Sequence, residues 1–201
     1  MRYIRRKSAP KVRDGITQFK NNWSYTRHWS QTDLRRYVID PERPGSGYRH
    51  VLRQRDLERF VGLLPEWEEL SKGVDVLLLA KGDPSCYGWY NLGNVAVCAW
   101  DRELGQEWPE SSVDDERDVL ERLGVPLEPA KEPGFVRLGF TEASVRGFQL
   151  MSVLLHELGH HHDRMTSKNQ ERCGRGESYA DRYAERHAEG LWEAYYREFG
   201  W

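Results

Sequence analysis

Cysteine is scarce: Cys86, Cys98 and Cys173 are the three in 201 residues. Their odd number and the lack of any C-x-x-C pair exclude a disulfide framework and a zinc knuckle. Long apolar runs are lacking as well. Those present, such as 76–80 and 153–155, fall far short of the roughly 20 residues that a membrane-spanning helix needs. No apolar stretch follows Met1-Arg2-Tyr3-Ile4-Arg5-Arg6-Lys7, which speaks against a secretory signal. These absences lead us to expect a soluble, cytoplasmic protein in a reducing setting, with no membrane partner. Internal repeats and low-complexity tracts are missing too, so a solenoid is excluded and the length suits one domain with an extension.

Aromatics, by contrast, are abundant, with 8 Trp and 10 Tyr, and are expected to act as bulky core filler. Charge is unevenly spread. Residues 1–60 hold 15 Lys and Arg against 6 acids, whereas 61–201 hold 15 against 26. Such a split marks either a nucleic-acid-binding arm or a basic segment docked on protein.

Residues 1–50 show no sustained periodicity, and 41–47 (Pro-Glu-Arg-Pro-Gly-Ser-Gly) reads as a linker or turn cluster. A basic, aromatic-rich N-terminal extension over 1–50 and a domain over 51–201 follow. Within the domain, apolar spacing predicts a helix over 52–64, a short helix over 66–72 stopped by Gly73, and strands over 74–80 and 94–100. These strands are expected to pair as an antiparallel hairpin around a turn region at 88–93. The acidic, Pro-containing stretch 101–134 is expected to be a surface insertion around one helix at 113–123. A strand over 135–140 and a helix over 142–163, capped by Thr141, come next. A loop over 164–176 then leads into a final helix that begins near Glu177.

The segment His156-Glu157-Leu158-Gly159-His160 is an H-E-x-x-H motif at the end of an apolar helical run. Residues four apart share a helix face, so both imidazoles reach one metal ion, with Glu157 beside them to take a proton from a bound water. Two histidines and a glutamate on a largely buried helix need partners, and a metal provides them. A catalytic zinc site takes three protein ligands and one water. Glu177 is the candidate third ligand. It opens the final helix, whose Ala180, Ala184, Ala188 and Leu191 form a face of mostly small residues suited to close packing. Asp181, one turn on, is placed to accept the second N–H of a ligand histidine. Asp163 would be an alternative ligand if the helix broke, and His187 would suit a site with a third histidine. His161 and His162 project to other faces.

These two segments, His156 to His160 and Glu177-Ser178-Tyr179-Ala180-Asp181, resemble the gluzincin metallopeptidases, and most nearly the small intracellular minigluzincins of the ImmA/IrrE type. The order helix, strand, Gly88-Trp89-Tyr90 as a G-x-Y-type turn, and edge strand at 94–100 is similar to that family's. The likeness covers about residues 52–200, is specific only in the two zinc segments, and does not extend to residues 1–50. It implies an α+β, zincin-like fold. A small, mostly antiparallel sheet would pack on the HExxH active-site helix and a C-terminal glutamate-bearing helix. It also implies one Zn2+ per chain held by His156, His160 and Glu177, with Glu157 as general base.

The function expected is a zinc metallopeptidase, an endopeptidase rather than an exopeptidase, acting on a specific intracellular protein or peptide. An oxyanion donor is usual in such sites, and Tyr179, Tyr183, His187 and His161 are the candidates. The strand at 94–100 would bind an extended substrate by strand addition. A competing reading is a nucleic-acid-associated or regulatory protein whose zinc site is structural or inactive. It rests on the arm bearing Arg5, Arg6, Lys7, Lys11, Arg13, Lys20, Trp23, Tyr25, Arg27, Trp29, Arg35 and Arg36. In a third reading the cleft stays covered until a partner opens it.

Overall fold

The computed structural model describes residues 37–167 and 174–200, together with two short strands, β1 (Lys11–Arg13) and β2 (Ile16–Gln18), which pair antiparallel. The other residues of the basic arm, and Cys173, lie outside the described residues. The fold is mixed α+β.

Residues on either side of the turn cluster at 41–47 are strands, β3 (Val38–Pro41) and β4 (Tyr48–Arg49). Helices α1 (Gln54–Val61) and α2 (Trp67–Leu70) follow, and Gly73 then turns the chain at φ 77°. Next come β5 (Val76–Ala80), β6 (Gly88–Asn91) and β7 (Asn94–Cys98). The sheet order is β3-β5-β7-β6. This corrects two expectations. β5 and β7 are parallel neighbours, as are β3 and β5, so this sheet is mixed, whereas the smaller ladders are antiparallel. The hairpin is instead β6–β7, and the expected turn region 88–93 contains its first strand. Its two-residue turn, Leu92-Gly93, has φ of 43° and 92°, the doubly positive pattern that matches strand twist. The chain leaves β5, passes over to the outer position, and returns between the two. β5 and β7 are therefore central, and β3 and β6 are the two outer strands.

Every residue of Val-Leu-Leu-Leu-Ala in β5 is buried, as expected of a strand covered on both faces. Leu77, Leu79, Val95 and Val97 face the main core. Val76, Leu78, Ala80, Ala96 and Cys98 form a second cluster on the opposite face.

Residues 101–134 are not a surface appendage. They hold β9 (Gln106–Pro109), two short helices α3 (Glu110–Asp115) and α4 (Arg117–Arg122), and β10 (Leu127–Pro129). β8 (Trp100–Asp101) just precedes them, pairing with β4. β10 and β9 flank β11 (Phe135–Leu138) in an antiparallel sheet. Acids cover the outside, while Trp108, Val113, Leu120, Leu123 and Val125 enter the main core. Trp108 and Phe140 pack against Phe148 at ring-centroid distances of 5.5 and 5.8 Å, and Trp100 stacks on Tyr87 at 4.9 Å. The aromatic load is core packing here, as expected.

Thr141 caps α5 (Glu142–Phe148), accepting the Ser144 N–H at 3.1 Å. The rod continues as a π-helical segment, Gln149–Leu154, and then as α6 (Leu155–Thr166). All six π residues are buried. The Gln149 amide donates to the Cys98 carbonyl at 2.8 Å, and the Ser152 hydroxyl donates to Glu116 at 2.9 Å. The final helix, α7 (Glu177–Phe199), ends at Gly200 with φ 73°. Among the described residues no helix is long and apolar enough to cross a membrane.

Because Trp108 is 4% exposed and joins the ring cluster around Phe148, Trp108→Ala is expected to cost about 3–5 kcal/mol. Urea denaturation measures this. A loss under about 1 kcal/mol, typical of surface sites, would show that the acidic stretch does not help build the core.

Candidate metal centre

The HExxH motif occupies the first turns of α6, and α7 lies against it. Their contact depends on Gly159, inside the motif. A Cβ there would come within 2.8 Å of Ala180 Cα and 3.0 Å of the Ala180 carbonyl oxygen. Ala180 is fully buried, and Ala184 and Ala188 continue the same face, as the alanine spacing predicts. The absence of a side chain at Gly159 brings the first turn of α7 alongside the two motif histidines.

Glu177 Oε2 stands 3.3 Å from His156 Nε2 and 3.7 Å from His160 Nε2, and the two nitrogens are 3.1 Å apart. Asp181 Oδ1 lies 2.8 Å from His156 Nδ1. That contact places the ring proton on Nδ1 and leaves the Nε2 lone pair facing the cluster. Three atoms bearing lone pairs, this close, need a cation or shared protons among them. A tetrahedral cation with bonds of about 2.0–2.1 Å has ligand–ligand edges of about 3.3 Å. The donor triangle therefore fits such an ion. The two imidazoles are 12% exposed and the Glu177 side chain 21%, so the cluster is recessed yet reachable.

Glu157 is 5% exposed. His156, Glu157 and His160 each place a ligand atom within 4.8 Å of the others, a group that could hold a metal ion. Two carboxylates thus flank the imidazoles. The Glu177 oxygen makes the tighter triangle with both nitrogens, whereas Glu157 projects towards the sheet. A Cβ on Gly88 would lie 3.0 Å from Glu157 Cγ and 2.6 Å from Val153, so β6 runs directly beside Glu157. The substrate strand expected at 94–100 needs correction for this reason. β7 pairs with β5 on one side and β6 on the other and has no free edge, whereas β6 is the edge strand on this side of the sheet.

Of the four oxyanion candidates, His161 and Tyr179 hydrogen-bond to other groups, and Tyr183 and His187 pack ring against ring. His161 is fully buried, with Nε2 at 2.9 Å from the Lys72 carbonyl and Nδ1 at 3.3 Å from the Tyr90 hydroxyl. Tyr90 in turn accepts from Arg164 at 3.0 Å and the Gly93 N–H at 3.2 Å. Burial pushes the His161 pKa down to about 4, consistent with a neutral ring that donates through Nε2 and accepts at Nδ1. Tyr179 shares a 2.7 Å hydrogen bond with His162 Nδ1, lies parallel to its ring, and carries the Arg175 guanidinium on its face. Tyr183 packs between His162 and His187, with centroids 5.2 and 4.2 Å away. Burial lowers the pKa of both these histidines and raises that of Tyr183.

Asp163 is not a ligand. It is fully buried and accepts from the backbone N–H groups of Arg175 and Gly176, at 2.8 and 3.3 Å, just before Glu177. The α6 helix does not break before it, contrary to the condition under which it would ligate. Its capture of a later loop had no sequence signal beyond its place one turn after Gly159.

Compared with family models, curated proteins and solved structures, the chain matches none.

Two substitutions separate the helix contact from the histidine anchor. Gly159→Ala forces α6 and α7 apart and is expected to weaken about tenfold or more the hold on any divalent ion that the donor triangle takes, as read by chelator competition. His161→Ala leaves the Lys72 carbonyl and the Tyr90–Arg164 cluster short of a partner. It should cost about 2–3 kcal/mol in denaturation while leaving any divalent-ion affinity of the donor triangle as in the parent. An intact stability in His161→Ala would contradict the anchoring role.

Proposed function

We propose that the chain is a zinc-dependent metallopeptidase of gluzincin type, nearest to the small ImmA/IrrE-like proteins, which hydrolyses peptide bonds of a specific intracellular protein. The observation that carries this reading is the convergence of His156 Nε2, His160 Nε2 and Glu177 Oε2 within 3.1–3.7 Å. The zincin-like part of the fold rests on the same elements: an outer strand, the HExxH helix, and a later helix that brings a glutamate.

His156, His160 and Glu177 would hold one zinc ion. When bound, zinc supplies Lewis acidity and a water nucleophile at neutral pH. The chain's own groups do the rest. Asp181 holds the His156 tautomer. Glu157, buried and with a ligand atom within 4.8 Å of those of both motif histidines, takes the proton of the attacking water and passes it to the leaving amine. The outer strand β6, beside Glu157, is the edge to which an extended peptide would add. No side chain among Tyr179, Tyr183, His187 and His161 is assigned to the oxyanion, since each has other contacts.

Metal content and proteolysis test this together. Purified protein should carry one zinc per chain by elemental analysis, and His156→Ala and Glu177→Ala should each lower that content. Glu157→Gln should retain zinc and lose cleavage of a peptide library read by mass spectrometry. Undiminished zinc in Glu177→Ala, or parental cleavage by Glu157→Gln, would defeat the reading.

A further inference from the structure

The short stretch that leads into α7 is held by one buried carboxylate. Asp163 lies one turn beyond Gly159 on the face of α6 that meets α7, and it is fully buried. Its Oδ2 accepts the backbone N–H groups of Arg175 at 2.8 Å and Gly176 at 3.3 Å. Its Oδ1 accepts from Arg175 Nε at 2.8 Å and from the Ser167 hydroxyl at 2.9 Å. The Arg175 guanidinium also donates to the Thr166 hydroxyl and to the Asp163 carbonyl, and it lies 4.1 Å from the Tyr179 ring centroid. Gly176 then takes φ 70° and ψ −159°, a region open essentially to glycine alone. The next residue is Glu177.

A buried carboxylate is costly unless it is paired and hydrogen-bonded, and the donors to this one come from the entry to α7, with the Ser167 hydroxyl at the end of α6 beside them. Capture of consecutive backbone N–H groups fixes position and direction of the chain more tightly than a side-chain contact does, since no rotatable side-chain bonds intervene on the donor side.

We propose that Asp163, clasped by Arg175, is the positioning residue that sets Glu177 against His156 and His160. This inference rests on the metal reading above. Asp163 touches neither the donor triangle nor a substrate, and it acts through the backbone at 175–176. Replacing it with Asn puts an amide NH2 among donors, so part of the clasp opens and Glu177 is no longer held at contact distance.

The test measures Zn2+ affinity of the full chain by competition with a chromophoric chelator, well below the unfolding temperature. The proteins are the parent, D163N, R175A, E177A, and the doubles D163N/E177A and R175A/E177A. D163N is expected to weaken binding about tenfold or more, and R175A by a smaller factor, because its backbone N–H still reaches Asp163. Neither should weaken binding further once Glu177 is absent, since residues that act through one another are non-additive. Parental affinity in D163N, or the same loss with and without Glu177, overturns the inference; the second result is what a merely stabilising role would give. If D163N does not fold, R175A decides by the same comparison, its side chain being 42% exposed. Parental affinity in E177A would instead defeat the metal reading itself, and it is seen without any change at Asp163.

Discussion

The approach of α7 to α6 at Gly159 is the constraint on which the site depends. Glycine within a helix costs about 1 kcal/mol relative to alanine, and nothing in local helix stability favours it here. Its use is steric, because Ala180 Cα occupies the space where a Cβ would sit. With Ala180 against it and Ala184 and Ala188 buried further along α7, the second helix lies close enough for a glutamate side chain to reach two histidines one turn apart. A bulkier seam would move Glu177 outward along with the whole helix. The candidate metal centre is therefore set by packing before it is set by chemistry.

The π-helical segment supplies the second constraint. An added residue in the turn shifts everything downstream by about 100° of azimuth. Upstream, Phe148 sits among Trp100, Trp108 and Phe140, and downstream the histidines must face α7. A rod of uniform α pitch satisfying the aromatic cluster would carry His156 and His160 off that face. The wider turn at 149–154 reconciles the two, and Gln149 fastens it to the end of β7 through the Cys98 carbonyl. That same contact ties the helix to the sheet whose outer strand passes Glu157.

Helical periodicity made the HExxH rod and the alanine face of α7 legible, and with them the pairing of Glu177 and Asp181 against the histidines. What stayed hidden has physical reasons. Val-Leu-Leu-Leu-Ala and Asn-Val-Ala-Val-Cys are buried on both faces, so they lack the alternation that would distinguish a hairpin from parallel neighbours. The short strand Gly88-Trp89-Tyr90-Asn91, glycine-led and beside a turn, looked like part of that turn. The acidity of 101–134 concealed an inner face in which Trp108, Val113, Leu120 and Leu123 are spread over several short elements, none long enough to show a period. The π turn has no composition of its own, and the clasp at Asp163 joins a side chain to backbone groups, which carry no residue identity.

The histidines of α6 show how azimuth on one helix decides chemistry. His156 and His160 lie about 40° apart on the helical wheel and face a carboxylate at the solvent margin. His161, about 100° further round, is driven into the core, where burial keeps it neutral between a carbonyl and a tyrosine hydroxyl. His162, another 100° on, meets the tyrosines of α7 and is stacked against Tyr179. The same side chain is thus a donor-triangle member, a structural anchor and an aromatic packing element within seven residues. Counting histidines in a motif region says little about ligand number. What marks out the candidate ligands is which of them share a face with a carboxylate, Glu177, that the close packing at Gly159 brings beside them.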